Sequence, residues 1–365
     1  MSLRDQIESR SKEIRTDGYS MSIGEILSLY RDGDIEIHPE FQRIFRWKKD
    51  QKSRLVESVL LGIPIPSIFV AQRDDGIWDV IDGVQRLSTI LEFLGAYRDE
   101  DGRQQPGSVL TAGEYLSDLR GYSWDGGEGS QAFDEAMQRD FKRAKLEFRI
   151  IMKGSDANAK YDLFQRLNSG SVLSAQESRN CLMVMINRDM YQRIVEMAGS
   201  ADFSTCVQLS DRQGEQAYSQ ELVLRFFLQF SYDGPETELD AEFGEFITTW
   251  MRGIAARPGG PQLNEIVFFD TMRVLRDALG EDAFRRFDPE RQRHVGPFSV
   301  ASYEFITTGV AANIDRWLAA KPDELKSKVQ SIWTYSEFRN NSGTGVSPRR
   351  RFPKLVRESR KYFAV

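Results

Sequence analysis

Asp82-Gly83-Val84-Gln85-Arg86 sets a carboxylate, an amide and a guanidinium within five residues, where the strand-like stretch "WDVI" (78–81) gives way to a helical pattern. A helix N-terminus carries partial positive charge, so an arginine in the first turn stands against the local field. Two chemistries account for the stretch. Asp82 followed three residues later by Gln85 fits a capping box, in which the carboxylate accepts a first-turn N–H and the amide reaches back. That reading leaves Arg86 unexplained. An anion bound at the helix start explains it, because free N–H groups, the helix dipole and a guanidinium fork converge there and a glycine lets a phosphate approach the backbone.

Three further segments carry polar residues in suggestive places. "HPEFQRIFRW" (38–47) sets Gln42-Arg43 among aromatic residues after an extended stretch broken by Pro39; the arginine there either reaches solvent or finds a partner. "YDLFQRLNSGSVLSAQESRN" (161–180) reads as a helix, an Asn168-Ser169-Gly170 cap, and a Ser174/Glu177 capping box opening the next helix. A polar loop of this kind also suits a ligand. The run 349–361 holds Arg349, Arg350, Arg351, Lys354, Arg357, Arg360 and Lys361 against Glu358 alone. Phosphate binding is one reading of this run; a solvated helix face or a tail docked on acidic neighbours is the other.

The composition excludes several classes of site. With only His38 and His294 and only Cys181 and Cys206, the chain has no HExxH motif, no cysteine zinc site, no disulfide framework and too few imidazoles for an HNH nuclease centre. No GxSxG elbow supports a serine triad. A net charge of −6 argues against a general polycation, which throws weight on the local clustering of charge. The longest apolar run, "CLMVMI" (181–186), is too short to span a bilayer, and the charged first residues do not form a secretory signal. A cytoplasmic location and no membrane partner are the expectation.

Apolar periodicity predicts the elements that place these residues. Helices are expected over 22–32, 48–61, 85–94 and 112–119, and strands over 34–41, 67–72, 77–81 and 145–152, with an Asp75-Gly76 hairpin turn between the middle two strands. From there the pattern is almost wholly helical: 156–167, 174–198, 219–231, 241–254, 264–280, 301–319 and 323–338. The expected fold class is therefore α+β, a small α/β domain over 1–155 followed by an all-helical domain over 156–365 with a basic C-terminal segment.

Four segments in register, "HPEFQRIFRW", "LVESVLLGIPIPSIFV", "VIDGVQRLSTILEFL" and "LFQRLNSGSVLSAQESRN", resemble the ParB/sulfiredoxin-like domain that forms the N-terminal half of GmrSD-type restriction enzymes, whose signature is Asp-Gly-Gln-Gln-Arg. The similarity runs over roughly 20–185, and "NSGTGVSPRRRF" is similar to the tail of stand-alone members. The resemblance implies a nucleoside triphosphate pocket built on Asp82, Gly83, Gln85 and Arg86, with Gln42, Arg43 and Asn168 beside them. Asp82, Gln85 and Arg86 would carry the chemistry, and Asp82 would also hold Mg²⁺ or its bound water. Val84 replaces the first glutamine of the signature, so nucleotide binding is implied while hydrolysis is weakened or lost. The resemblance further implies a role in bacterial defence against foreign or modified DNA, with cleavage left to a separate nuclease subunit. The alternative is a non-catalytic DNA-binding module of the same fold that contacts phosphates through Arg349, Arg350, Arg351 and Lys354. Some ParB-like domains are nucleases that need no metal, but the sequence gives that activity no residues of its own.

Overall fold

In the computed structural model, the described residues are 3–4, 15–37, 47–99, 102–153, 174–210, 213, 217–260, 262–343 and 345–364. They fall into two compact units, Met1–Leu173 and Ser174–Val365. The class is α+β: a sheet domain, then helices.

The first unit runs β1 (Thr16–Ser22), α1 (Ile23–Asp32), β2 (Ile35–Glu36), α2 (Lys49–Leu61), β3 (Ile68–Gln72), β4 (Trp78–Asp82) and α3 (Val84–Phe93). It continues with the two-residue strands β5 (Tyr122–Ser123) and β6 (Gln131–Ala132), then α4 (Glu135–Arg143) and β7 (Lys145–Ile151). Five strands form one sheet in the order β1-β7-β3-β4-β2. β3 lies parallel to β7 and antiparallel to β4, and a register shift between Phe69 and Val70 brings Phe69 opposite Asp82 at the end of β4.

Leu146, Phe148 and Ile150 alternate inward along β7 against Leu87, Ile90, Leu91 and Phe93 in the same core. The Phe93 ring meets Trp124, Phe133 and Phe141 edge-on at 5.7, 5.1 and 5.4 Å, the geometry that aromatic quadrupoles favour. These contacts fix α3 along its length and so fix what its first turn presents.

A helix expected over 112–119 is largely a loop, with one 3₁₀ turn at Ser117–Leu119. The buried Glu57 carboxylate explains why: it accepts the N–H groups of Glu114, Tyr115 and Leu116 at 3.1, 2.7 and 2.6 Å, which takes these donors out of any helix. β1 was not expected. It is an edge strand with almost every residue exposed, so it carries no apolar alternation.

The second unit contains α5 (Ala175–Ile186), α6 (Arg188–Gly199), α7 (Ala201–Cys206), α8 (Tyr218–Ser231), α9 (Phe243–Ala255) and α10 (Glu265–Leu279). After these come a hairpin of β8 (Arg285–Asp288) and β9 (Arg293–Phe298), then α11 (Val300–Ala312), α12 (Ile314–Ala319), α13 (Pro322–Ser331), α14 (Ser336–Asn341) and α15 (Pro348–Ala364). The expected single helix over 174–198 is two, because Asn187 turns its side chain to cap α6 through the Met190 N–H at 2.9 Å. The expected 301–319 helix likewise divides at Asn313, and 323–338 divides between α13 and α14. The β8–β9 hairpin interrupts a stretch expected to hold only helices; its strands bury only Phe287 fully and show no alternating apolar face.

A chain of buried charges ties this unit together. Arg179 of α5 pairs with Glu221 of α8 at 2.5 Å, and Glu221 pairs with Arg225 at 2.7 Å. Arg225 pairs with Glu304 of α11 at 2.5 Å, and Glu304 pairs with Arg351 of α15 at 2.9 Å. Burial disfavours the charge on Arg225, but Glu304 and Glu221 outweigh it and push the pKa upward. Close packing joins α11 to α15: a Cβ on Gly309 would stand 2.2 Å from the Phe363 ring.

Two outcomes follow for unfolding measurements. Removing one partner of a buried pair typically costs about 3–5 kcal/mol because the remaining charges stay desolvated, so Glu304→Ala is expected to lower stability by that order in a denaturant titration. Glu57 responds to pH. Burial raises its pKa, but the Leu116, Tyr115 and Glu114 N–H groups and nearby Arg54 together hold it below the ordinary 4.5. Its stabilisation is therefore full above the unfolded-state pKa and is lost as pH falls through the lower folded-state value. The stability difference between wild type and Glu57→Gln should be constant near neutral pH and shrink in acid below about pH 4.5; a difference independent of pH would contradict this account.

Candidate functional site

The end of β4 passes into α3 through Gly83, which takes φ +97°. That left-handed conformation is open to glycine at little cost. Space imposes the same choice, because a Cβ on Gly83 would lie 2.4 Å from Ile68 Cδ1 and 3.3 Å from an Arg86 guanidinium nitrogen. The absent side chain makes room for Ile68 and Arg86, a use of Gly83 different from the close phosphate approach expected of it.

Asp82 does not cap the helix. Gly83 is the N-cap and α3 has no side-chain cap. The Asp82 carboxylate instead accepts from Arg86 Nη2 at 2.6 Å, and Arg86 Nη1 donates to the Pro66 carbonyl at 2.8 Å. The expected capping box with Gln85 is thus replaced by an ion pair one helical turn apart. Gln85 Oε1 accepts the Trp47 N–H at 3.2 Å, so the glutamine fastens the chain entering α2 rather than its own helix start.

The arrangement answers the electrostatic puzzle of Arg86. Asp82, at the helix head, carries the negative charge the dipole favours, and Arg86 is held against it. Both are half-buried, with side-chain exposures of 31% and 12% respectively. The first helical N–H with an intrahelical partner is that of Leu87, on Gly83 O at 2.9 Å. The N–H groups of 84–86 belong to the first turn, which helix geometry leaves without intrahelical acceptors. Asp82, Gly83, Gln85 and Arg86 are therefore brought together around one strand-to-helix turn. Val84 packs against the core.

Gln42, Arg43 and Asn168 lie outside the described residues. Trp47, the first described residue after the FQR segment, is the one bound to Gln85. The Ser174/Glu177 capping box is formed: Ser174 Oγ accepts the Glu177 N–H at 3.3 Å and Glu177 accepts the Ser174 N–H. Among the described residues no group of three or more His, Cys, Asp or Glu could hold a metal ion. Asp82 is a single carboxylate whose Oδ1 has no hydrogen-bond partner among the described residues. This fits Mg²⁺ held beside a nucleotide, which takes one or two carboxylates plus phosphate oxygens rather than an all-protein cage.

The basic run 349–361 forms most of α15, an element that sequence periodicity did not separate from its charge. Most of its cations are engaged within the unit. Arg349 donates to the Leu239 carbonyl at 2.8 Å and pairs with Glu242 at 3.1 Å; Arg351 belongs to the buried chain. Arg357 pairs with Glu236 at 2.5 Å and Lys361 with Glu358 at 2.7 Å. Arg360 donates to the carbonyls of Gln229, Phe230 and Tyr232 at 2.9, 3.0 and 2.9 Å, closing the end of α8. Docking on acidic neighbours is thus the fate of much of the run. Sequence spacing offered no means of telling these engaged cations from Arg350 and Lys354, whose side chains have no ion-pair partner among the described residues.

Fold and site together define a small α/β domain that presents a carboxylate–guanidinium pair at the head of a helix. Residues 23–184 match the family described as GmrSD restriction endonuclease, N-terminal domain. The match supports a role in restriction, in defence against modified DNA. Comparisons with curated proteins and with solved structures returned no match. Among the described residues no helix is long and apolar enough to cross a membrane.

The strained turn gives a direct test of the local geometry. Gly83→Ala combines a left-handed Cβ penalty with a clash on Ile68, together on the order of 2–4 kcal/mol. Denaturant unfolding should show a loss of that size, whereas Gly33→Ala, also at positive φ (+82°) but in open space, should show only the backbone part.

Proposed function

We propose that the first unit binds a nucleoside triphosphate at the head of α3, and that this binding serves restriction of modified DNA. The observation that supports the reading most is the meeting of Arg86, Asp82 and the uncapped first turn of α3 at the Gly83 turn, within a segment that matches the restriction-enzyme N-terminal family. A phosphate at that position meets first-turn N–H groups, the positive end of the helix and a guanidinium already oriented by Pro66 and Asp82. The Gln85 amide nitrogen is a further donor at the same turn, its oxygen being taken by Trp47. Gln42, Arg43 and Asn168 complete the proposed pocket on the strength of the family resemblance.

Bound Mg²⁺ would supply charge neutralisation between phosphate oxygens, with Asp82 as its protein ligand. The residues of the chain supply placement: Arg86 and the helix start hold phosphate, and Gly83 keeps the turn tight enough for Asp82 and Arg86 to share it. Phosphoryl transfer depends mostly on positioning and electrostatic stabilisation, so this set is adequate for binding and for slow turnover. Val84 contributes no polar group, and hydrolysis in this reading is weak. Cleavage of DNA falls to a separate nuclease partner, because two histidines do not furnish an HNH centre in these residues.

Calorimetry with each nucleoside triphosphate and Mg²⁺, followed by a phosphate-release assay, tests the proposal. Arg86→Ala should weaken nucleotide binding at least tenfold, and Asp82→Asn should reduce the Mg²⁺ dependence while leaving Arg86 hydrogen-bonded. Unchanged affinity in a folded Arg86→Ala protein would end the reading.

A further inference from the structure

Arg350 and Lys354 are one turn apart on α15, the spacing that puts two side chains side by side on a helix. They line one pocket of about 390 Å³ with Asn340, Asn341, Ser347 and Glu238, a volume within the usual range for small-molecule sites. The cations around them are consumed: Arg349, Arg351 and Arg357 are paired with Glu242, Glu304 and Glu236. Arg350 is exposed and Lys354 half-buried, and neither forms an ion pair with a described residue. The pocket therefore combines two uncommitted positive charges with neutral hydrogen-bonding amides. Glu238 is its one acid, and Arg349 stands 3.8 Å from that carboxylate and offsets its charge.

We propose that this pocket binds the phosphate of a nucleotide, with Arg350 and Lys354 holding the phosphate oxygens and Asn340, Asn341 and Glu238 facing the base. A base edge offers both donors and acceptors, which amides match in either sense and a carboxylate matches through an exocyclic amino group. Two cations side by side with no acidic partner suit a ligand of at least one full negative charge. The polar, partly open pocket excludes a lipid tail or an apolar peptide. The pocket belongs to the second unit, whereas the turn at Gly83 belongs to the first. The same chemistry is offered by a nucleotide within a DNA strand and by a free nucleotide, and the experiment separates these sources.

The full-length protein is titrated against a fluorescein-labelled 12-mer single strand, the corresponding duplex, and unlabelled dCMP and ATP. Anisotropy at several salt concentrations reads the oligonucleotides, and calorimetry reads the free nucleotides. The variants are Arg350→Ala/Lys354→Ala, Arg357→Ala as an exposed cation paired elsewhere, and Arg86→Ala for the first unit. The inference expects the double variant to lose at least tenfold in affinity for one probe class. If that class is an oligonucleotide, the slope of log affinity against log salt should also flatten by about one to two, since every phosphate that is no longer neutralised keeps roughly one counterion. Arg357→Ala should change affinity by less than about twofold.

A loss confined to oligonucleotides identifies a DNA strand as the source, and a loss confined to dCMP or ATP identifies a free nucleotide; both support the site. A double variant that keeps its melting temperature and binds every probe as wild type does would overturn it, as would a wild type that binds none of them. A wild type whose ATP binding is lost in Arg86→Ala and unchanged in the double variant, with no oligonucleotide or dCMP bound, sinks this inference and leaves the proposal for the first unit standing.

Discussion

The geometry at the head of α3 depends on a backbone that only glycine holds easily. With φ at +97°, Gly83 turns β4 into the helix within one residue. Asp82, the last residue of β4, thereby lies one helical turn from Arg86, close enough for a 2.6 Å hydrogen bond. The same missing Cβ admits Ile68 of β3 and the Arg86 side chain into the space beside the turn. Arg86 then reaches Pro66 just before β3, so a single guanidinium joins the approach to one strand, the end of its neighbour and the start of a helix. Strand register belongs to the same arrangement: the shift between Phe69 and Val70 occurs where Asp82 is paired. Chemistry and architecture meet here in one ion pair, and its half-buried position makes it stronger than a surface pair without isolating it from a ligand.

In the second unit the organising device is charge without solvent. Arg179, Glu221, Arg225, Glu304 and Arg351 alternate in sign through α5, α8, α11 and α15, and the Arg225 guanidinium also lies 4.7 Å from the centre of the Phe243 ring of α9. Each interior carboxylate is shared by two arginines, so neither anion is left unpaired in the interior. Buried ion pairs are poor sources of net stability against apolar replacements, but they penalise any register in which the partners do not meet. The last helix is thereby located by Arg351, and its neighbours Arg349 and Arg360 then find carbonyls at Leu239 and at the end of α8. A basic run that reads as one phosphate-binding surface in sequence is divided by this placement into cations that hold the fold and two that do not.

How much of this was legible in the sequence depended on whether an element shows an apolar face. The helices around α1, α2 and α3 and the strand at 145–151 were readable because each buries a periodic stripe, and the hairpin between β3 and β4 because Asp75-Gly76 is a turn signal. β1 and the β8–β9 hairpin were not, since β1 lies mostly exposed, the hairpin strands bury only Phe287 fully, and their pairing is carried by backbone hydrogen bonds that sequence pattern does not encode. At the Gly83 turn, the capping partners expected from spacing are not the ones that form. Asp82 and Gln85 stand at capping-box spacing, yet the acid went to Arg86 and the amide to Trp47. A cap is worth about 1 kcal/mol and competes with a charge-assisted hydrogen bond of similar or greater strength. The competitor at i+4 is visible in sequence, but the Pro66 carbonyl that orients the guanidinium is a tertiary contact. On α15, the separation of engaged from free cations required knowing where Glu236, Glu242 and Glu304 lie.

In the nucleotide site proposed for the first unit, Val84 separates the requirements of binding from those of turnover. The first position of a helix points its N–H toward any ligand there whatever its side chain is, so an amide-to-valine exchange leaves the backbone donors of the turn in place. The Val84 side chain packs against the core of the first unit and offers no polar group. Ground-state recognition of phosphate draws on the helix dipole, the backbone and Arg86, none of which valine removes. Acceleration of hydrolysis requires something more, a group that interacts better with the transition state than with the bound nucleotide by orienting water or taking up developing charge. Under the proposed nucleotide reading, a turn that keeps its first-turn N–H groups and Arg86 but carries valine where the signature has glutamine suits a nucleotide that stays bound better than one that is rapidly hydrolysed.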